Sequence, residues 1–207
     1  MSWPLAPGCA SLPAVDLLVL AGGTGERLGG RDKGALVVGG RTLLERALRS
    51  DLGGSRVLVG TTPVPPGVDV VATMEDPPGG GPVAGIAAGL AALRAGSAAP
   101  SGWVAVVAVD QPGAADALAR LRAALPGAPD ATEAVSHADA TGRRQWLLAI
   151  YRRPALEAAL VRLGSVRDSS VRRLVGGLTW HEVADGAEHI GDVNTWDDLS
   201  RWREALR

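Results

Sequence analysis

Short apolar runs alternating with amphipathic stretches set the rhythm of the first half of this chain. The runs Val15–Leu20, Arg56–Gly60, Val68–Ala72 and Trp103–Val109 have the length of strands. Their nearly unbroken apolar character suits a parallel sheet covered on both faces. Between them lie helical patterns over Thr42–Asp51, where Leu43, Leu44, Ala47 and Leu48 share one face, and over Val83–Ala95 and Ala114–Leu125. Alternation of this kind predicts βαβ units with right-handed crossovers. Val37-Val38-Gly39-Gly40 predicts a small hairpin ahead of the first long helix.

The pattern changes after residue 130. Ala131–Ala138 and Arg143–Tyr151 read as two strands joined through Thr141-Gly142, an antiparallel excursion from the main sheet. Pro154–Leu163 predicts a helix with Leu156, Leu160 and Leu163 on one stripe and Pro154 in its first turn. A further helix is expected over Asp168–Val175, capped by Asp168 or Ser169, and a last strand over Thr179–Ala184. Thr195-Trp196-Asp197-Asp198 has the form of a capping box opening a terminal helix, Trp196 to Leu206. No internal repeat interrupts this order. The expectation is a flexible leader over 1–13 and one α/β domain over 14–207.

Composition narrows the function. With 207 residues, 46% hydrophobic and 21% charged, the chain is long enough to bury a proper core. A formal net charge of −1 leaves no basic excess for a nucleic-acid backbone, and 3% aromatics without any Phe leave no stacking platform for single strands. Cys9 is the only cysteine, so neither an internal disulfide nor a thiolate metal site is expected. The Pro-rich start, which has no Lys or Arg up to Pro13, does not read as a secretory signal. No apolar run approaches the ~20 residues needed to span a bilayer. No membrane attachment is expected, and a cytoplasmic location is.

Candidate chemistry concentrates where the first strand ends. From Leu20-Ala21-Gly22-Gly23 to Asp32-Lys33-Gly34 there are six glycines, at 22, 23, 25, 29, 30 and 34, interleaved with Arg27, Arg31 and Lys33. Glycines free backbone N–H groups to close on an anion, and the cations supply the charge that a triphosphate requires. Two familiar phosphate loops are excluded by spacing. The dinucleotide fingerprint fails because Leu28 stands where its third glycine belongs, and Gly60-Thr61-Thr62 offers no acid after the second strand. The Walker A loop fails because Gly34, not Ser or Thr, follows Lys33. An unliganded glycine turn would leave three cations within seven residues unexplained.

Three later motifs follow strands or precede helices. Met74-Glu75-Asp76-Pro77-Pro78-Gly79-Gly80-Gly81-Pro82 is a rigid turn aiming a helix, and by itself no more than that. Asp110-Gln111-Pro112 ends the strongest strand, where ligands bind in open α/β sheets, although an Asp there serves equally as a helix cap. Gly191-Asp192-Val193-Asn194-Thr195 precedes the terminal capping box. The three histidines, His137, His181 and His189, show no metal-ligand spacing and read as core or surface residues.

Taken in order, these motifs resemble the molybdenum cofactor guanylyltransferase (MobA-like) family of nucleotidyltransferases, and the resemblance runs from Val15 to Leu206. It implies a three-layer α/β/α Rossmann-like fold with a mostly parallel sheet, residues 14–113 binding nucleotide and 114–207 binding acceptor. It implies that Leu20, Ala21, Gly22 and Gly23 contact the nucleotide, that Arg27 and Lys33 meet its phosphates, and that Asp76 reads guanine. A carboxylate suits guanine because it accepts from both N1–H and the exocyclic amine. The resemblance further implies Mg²⁺ on Asp110, with Asp192 and Asn194 as a second ligand or as groups orienting metal-bound water. Arg144 and Gln145 fall where the acceptor region begins, and Arg172-Arg173 forms a basic turn on the same side.

The implied reaction moves GMP from GTP onto the phosphate of molybdopterin and releases pyrophosphate, with delivery or acceptor proteins of the molybdenum cofactor as protein partners. Arg27, Lys33 and Asp110 are the implied catalytic set. Two departures keep alternatives open: no Asn stands at Gly60-Thr61-Thr62, where the family usually has one, and Trp146 replaces a common Pro. A cytidylyltransferase, a sugar-phosphate nucleotidyltransferase and a non-catalytic nucleotide-binding regulator are the rival readings, with a dehydrogenase behind them.

Overall fold

The computed structural model describes residues 11–22, 29–96, 99–138, 142–184 and 190–206. Most of the leader, including Cys9, and also Gly23, Arg27, Thr141 and His189 lie outside these residues. Nine strands and six α-helices are described: β1 (Val15–Ala21), β2 (Val37–Val38), β3 (Arg41–Thr42), α1 (Leu43–Leu48), β4 (Gly53–Gly60), β5 (Val71–Thr73), α2 (Pro82–Gly96), β6 (Trp103–Ala108), α3 (Ala114–Ala124), β7 (Ala134–Ala138), β8 (Arg144–Arg152), α4 (Arg153–Leu163), α5 (Val171–Val175), β9 (Trp180–Val183) and α6 (Trp196–Ala205).

Seven strands form one sheet in the order β5-β4-β1-β6-β8-β7-β9, and β2 pairs with β3 as the expected hairpin. The pairs β5–β4, β4–β1, β1–β6 and β7–β9 are parallel, whereas β8 is antiparallel to both β6 and β7. One reversed strand is therefore the whole antiparallel excursion.

Alternation along β1 explains the layers. Val15, Leu17 and Val19 face a core shared with α1 and α3, while Leu18 and Leu20 face one shared with α2, α4 and α5. A strand buried on both sides must be apolar on both, which is why periodicity of two is invisible in this run. A third cluster, Leu36, Val38, Leu43, Val193 and Leu199, ties the hairpin and α1 to α6.

Some boundaries differ from expectation. The helix expected from Asp168 begins at Val171, with Ser170 as its cap accepting from the Arg173 N–H. Residues 167 and 168 are used elsewhere: Asp168 N–H donates to the Gly80 carbonyl at 2.9 Å and Arg167 Nη1 to the Pro77 carbonyl at 3.3 Å. Asp168 accordingly sits at φ +55°. The strand expected over Val68–Ala72 is β5, three residues long. No helix among the described residues is long and apolar enough to cross a membrane.

Candidate active site

In a mostly parallel sheet the loops after β1, β4, β5 and β6 leave from one edge, and the ligand sites of open α/β folds lie there. Leu20, Ala21 and Gly22 end β1, Gly60-Thr61-Thr62 follows β4, Asp76 follows β5 and Asp110 follows β6. Because β8 is reversed, its first residues reach the same edge. Val107 pairs with Leu148, and three residues onward on each strand stand Asp110 and Gln145.

The glycine loop enters this edge through Gly29 and Gly30, each at φ +72°, a conformation that a side chain disfavours. A single 3-10 turn, Lys33–Ala35, follows. Its cap is Asp32, whose Oδ1 accepts from the Gly34 N–H at 2.9 Å and from the Thr62 hydroxyl at 2.8 Å. Gly34 must be glycine, because a Cβ there would lie 2.7 Å from the Thr62 methyl. Thr62 thus anchors the loop from the end of β4, a role that no motif disclosed. The only signal was the polar pair Thr61-Thr62 closing an apolar strand.

The turn aims Lys33 at the centre of the edge. Its ammonium donates to Asp110 Oδ2 and to Asn194 Oδ1, both at 2.8 Å. Asn194 comes from the far end of the chain and is held there by three contacts. Val193 N–H donates to the Asp110 carbonyl at 2.8 Å, the Val193 side chain is fully buried, and Asn194 N–H donates to Asp198 Oδ2 at 3.1 Å. Thr195 and Asp198 form the expected capping box. Partial burial raises the pKa of the Asp192 carboxyl, and the neighbouring negative charge of Asp110 raises it further. The Lys33 ammonium and a hydrogen bond from Asn194 pull it the other way. Two carboxylates, an amide oxygen and an ammonium therefore converge. A second bridge runs parallel to them, with the Arg31 guanidinium 5.5 Å above the half-exposed ring of Trp196.

Asp76 is exposed on the loop after β5, and its peptide bond to Pro77 is cis. That loop is tied down by Arg167 and Asp168, which lie between α4 and α5. Arg144, at the start of β8, pairs with Glu182 of β9 and lies 5.5 Å over the Trp180 ring. Gln145 is half-buried beside it. Gln111 is buried behind Asp110 and donates to the Leu147 carbonyl at 3.2 Å, linking β6 to β8 at the site. His137 is buried in the core, with its ring nitrogens 3.2 Å and 3.3 Å from the Val183 and Ala117 carbonyls. Arg27 and Gly23, expected at the phosphates, lie outside the described residues.

All the oxygens brought together by Asp110, Asp192 and Asn194 are hard donors. Among the described residues no group of three or more His, Cys, Asp or Glu side chains converges. A donor set this sparse fits Mg²⁺, which commonly takes one or two carboxylates and completes its shell with water and phosphate oxygens. It does not fit a metal that demands a full protein cage.

Comparison with known proteins agrees with this geometry. Residues 17–183 match the family described as the MobA-like NTP transferase domain. A molybdenum cofactor guanylyltransferase from Acidiphilium cryptum is 31% identical over 190 residues, covering 88% of this chain and 90% of that protein. One from Pseudomonas putida is 36% identical over 110 residues, 49% of this chain and 53% of that protein, so the match spans about half its length. Among solved structures, the molybdopterin-guanine dinucleotide biosynthesis protein A of Archaeoglobus fulgidus superposes with a TM-score of 0.64 at 23% identity, over 92% of this chain and 98% of that one, a likeness of fold. The chain is a nucleotidyltransferase and belongs to the MobA-like NTP transferase family.

Proposed function

We propose that this enzyme transfers GMP from GTP to the terminal phosphate of molybdopterin in a Mg²⁺-dependent reaction. The observation that carries the reading is the convergence of Lys33, Asp110 and Asn194, from three distant parts of the chain, at the ligand-binding edge of the sheet. The names of the two bacterial relatives support the substrates.

An acceptor phosphate oxygen forms a bond to the α-phosphorus of GTP while the bond from that phosphorus to the bridging oxygen breaks, and pyrophosphate leaves with the electron pair. A phosphate is already ionised near neutral pH, so the chain needs no side-chain nucleophile. Its task is to position and to neutralise charge. Lys33, with Arg27, balances charge on the α-phosphate and on the departing pyrophosphate. Leu20, Ala21, Gly22 and Gly23 seat the nucleotide, and the Asp76 carboxylate accepts from N1–H and the exocyclic amine of guanine. Asp110 would hold Mg²⁺ with help from Asp192 and Asn194, and the ion, when bound, would supply charge neutralisation on phosphate oxygens. Gln145 and Arg144 border the acceptor's approach along the start of β8.

A cytidylyltransferase is the second reading, and one observation favours it. Gly60-Thr61-Thr62 holds no Asn where the family usually has one, and the Thr62 hydroxyl is engaged by Asp32. The test is pyrophosphate release from GTP, CTP, ATP and UTP, each with molybdopterin and with sugar phosphates. Release from GTP with molybdopterin alone is expected. Preference for CTP overturns the base, and turnover only with a sugar phosphate overturns the acceptor.

A further inference from the structure

The Lys33 ammonium has two side-chain acceptors. It draws on one oxygen of Asp110 and one of Asn194, each at 2.8 Å, and neutralises the charge that Asp110 and Asp192 would otherwise concentrate at one spot. These are the oxygens that fit a hard divalent cation. An ammonium on one oxygen of a carboxylate leaves the other oxygen open, but its like charge a few ångströms away weakens the hold of that carboxylate on a divalent ion. The turn that carries Lys33 is pinned by Asp32, Thr62 and Gly34, so the side chain, not the backbone, is what a ligand would have to move. A triphosphate would change that balance. It offers the ammonium a more highly charged partner and brings phosphate oxygens for the metal.

We propose that Lys33 is a resident counter-ion that holds the divalent-cation site at low affinity, so that the metal binds tightly only once a triphosphate has drawn the lysine off Asp110. The inference rests on the reading of Asp110 as a metal ligand. It adds a second duty to a residue otherwise cast only as a phosphate partner. It also makes metal and nucleotide affinity mutually reinforcing, as any coupling between two sites must be.

The test uses metal alone. Binding of Mn²⁺ without nucleotide is followed by the loss of its free-ion electron paramagnetic resonance signal in the wild type, Lys33→Met, Lys33→Gln and the double variant Lys33→Met/Asp110→Asn. The two single variants should bind Mn²⁺ roughly tenfold more tightly than the wild type, or better, because a unit positive charge has left the first coordination distance. The double variant should lose that gain. Single variants that bind no tighter than the wild type overturn the proposal, as does a double variant that keeps the gain. Two different neutral replacements guard against one misfolding, and thermal melts confirm that each variant is folded. Turnover of GTP by the wild type is scored separately. Tighter Mn²⁺ binding without GTP turnover leaves this inference standing and removes the assigned reaction, and the reverse pattern does the opposite.

Discussion

At the N-terminal end of the central strands Asp16 meets Arg153, and at their C-terminal end Asp110 meets Lys33. Both pairs join a carboxylate to a cation across long sequence distance, 137 residues in one case and 77 in the other. Their surroundings differ. The Asp16 and Arg153 side chains are 2% and 8% exposed, and those of Asp110 and Lys33 are 18% and 21%. Asp16 also accepts from the Ser55 N–H at 2.8 Å, the Ser101 N–H at 3.0 Å and the Ser101 hydroxyl at 3.2 Å, and Arg153 Nε donates to the Ser101 carbonyl. That carboxylate binds β1 and β4 to the segments just before β6 and after β8, and none of its partners is free to leave. Asp110 and its cation keep about a fifth of their surface exposed, so a ligand can approach from solvent. In this fold the buried pair, with several backbone partners around it, ties strands together, and the half-open pair stands where chemistry is expected.

Breaking the closed pair should produce the largest effect. Asp16→Ala leaves Arg153 buried without its counter-charge, and losing one partner of a buried pair costs about 3–5 kcal/mol. A thermal melt should show a drop on the order of 10 °C in Tm. Turnover per folded molecule should stay near that of the wild type. A variant that melts normally would show that the pair contributes little, and one that is stable but inactive would place Asp16 in the chemistry.

The two ends also differ in how far the sequence discloses them. Lys33, Asp110, Asp192 and Asn194 were visible because each stands in a loop at a strand or helix boundary, where polar residues have no packing role to explain them. Their pairing was not visible, since nothing local tells Lys33 that Asn194, 161 residues away, will be beside it. At the other end Asp16 was hidden inside an apolar run and passed for part of an ordinary strand. A charged residue within a buried strand was the one available signal. Arg153 was masked in the same way, as one of two arginines before Pro154. The layers, helices and reversed strand were legible because apolar periodicity follows directly from burial. The start of α5 was not, because tertiary bonds from Asp168 to Gly80 and from Arg167 to Pro77 outbid local capping.

The open pair should respond the other way round. Asp110→Asn keeps the size of the side chain and its amide oxygen can still accept from Lys33, in a pair that retains contact with solvent, so less stability is lost than at the closed pair. The Tm of this variant should therefore move less than that of Asp16→Ala. Turnover should fall roughly 10²–10³-fold, the scale seen when one preorganised electrostatic partner is lost from an active site. Melts and initial rates of pyrophosphate release, measured on the same preparation, check both halves. Comparable losses of stability in Asp16→Ala and Asp110→Asn would erase the distinction between the two ends.

The smallest effect tests how firmly the open end is held. Thr195→Ala removes the hydroxyl that accepts from the Asp198 N–H, leaving the Asp198 carboxylate to cap Asn194 and Thr195 alone. Loss of a helix cap costs about 1 kcal/mol. Asn194 should then be placed less firmly beside Asp110, and turnover should drop by a few-fold at most, within the effect of ~1 kcal/mol on a rate. The pH dependence distinguishes this account from a general loosening. Hydrogen bonds from the Thr195 side chain, and then from the Asn194 and Thr195 backbone and Arg201, hold the Asp198 carboxyl down at about 2. A carboxylate whose pKa is depressed in the folded state stabilises above its ordinary range and loses that contribution as pH falls through its folded value. The stability gap between wild type and Thr195→Ala should therefore be constant from neutral pH to about pH 4 and shrink between pH 4 and 2. Urea melts across that range provide the check, and a gap that closes well above pH 4 would mean that another titrating group supports the cap.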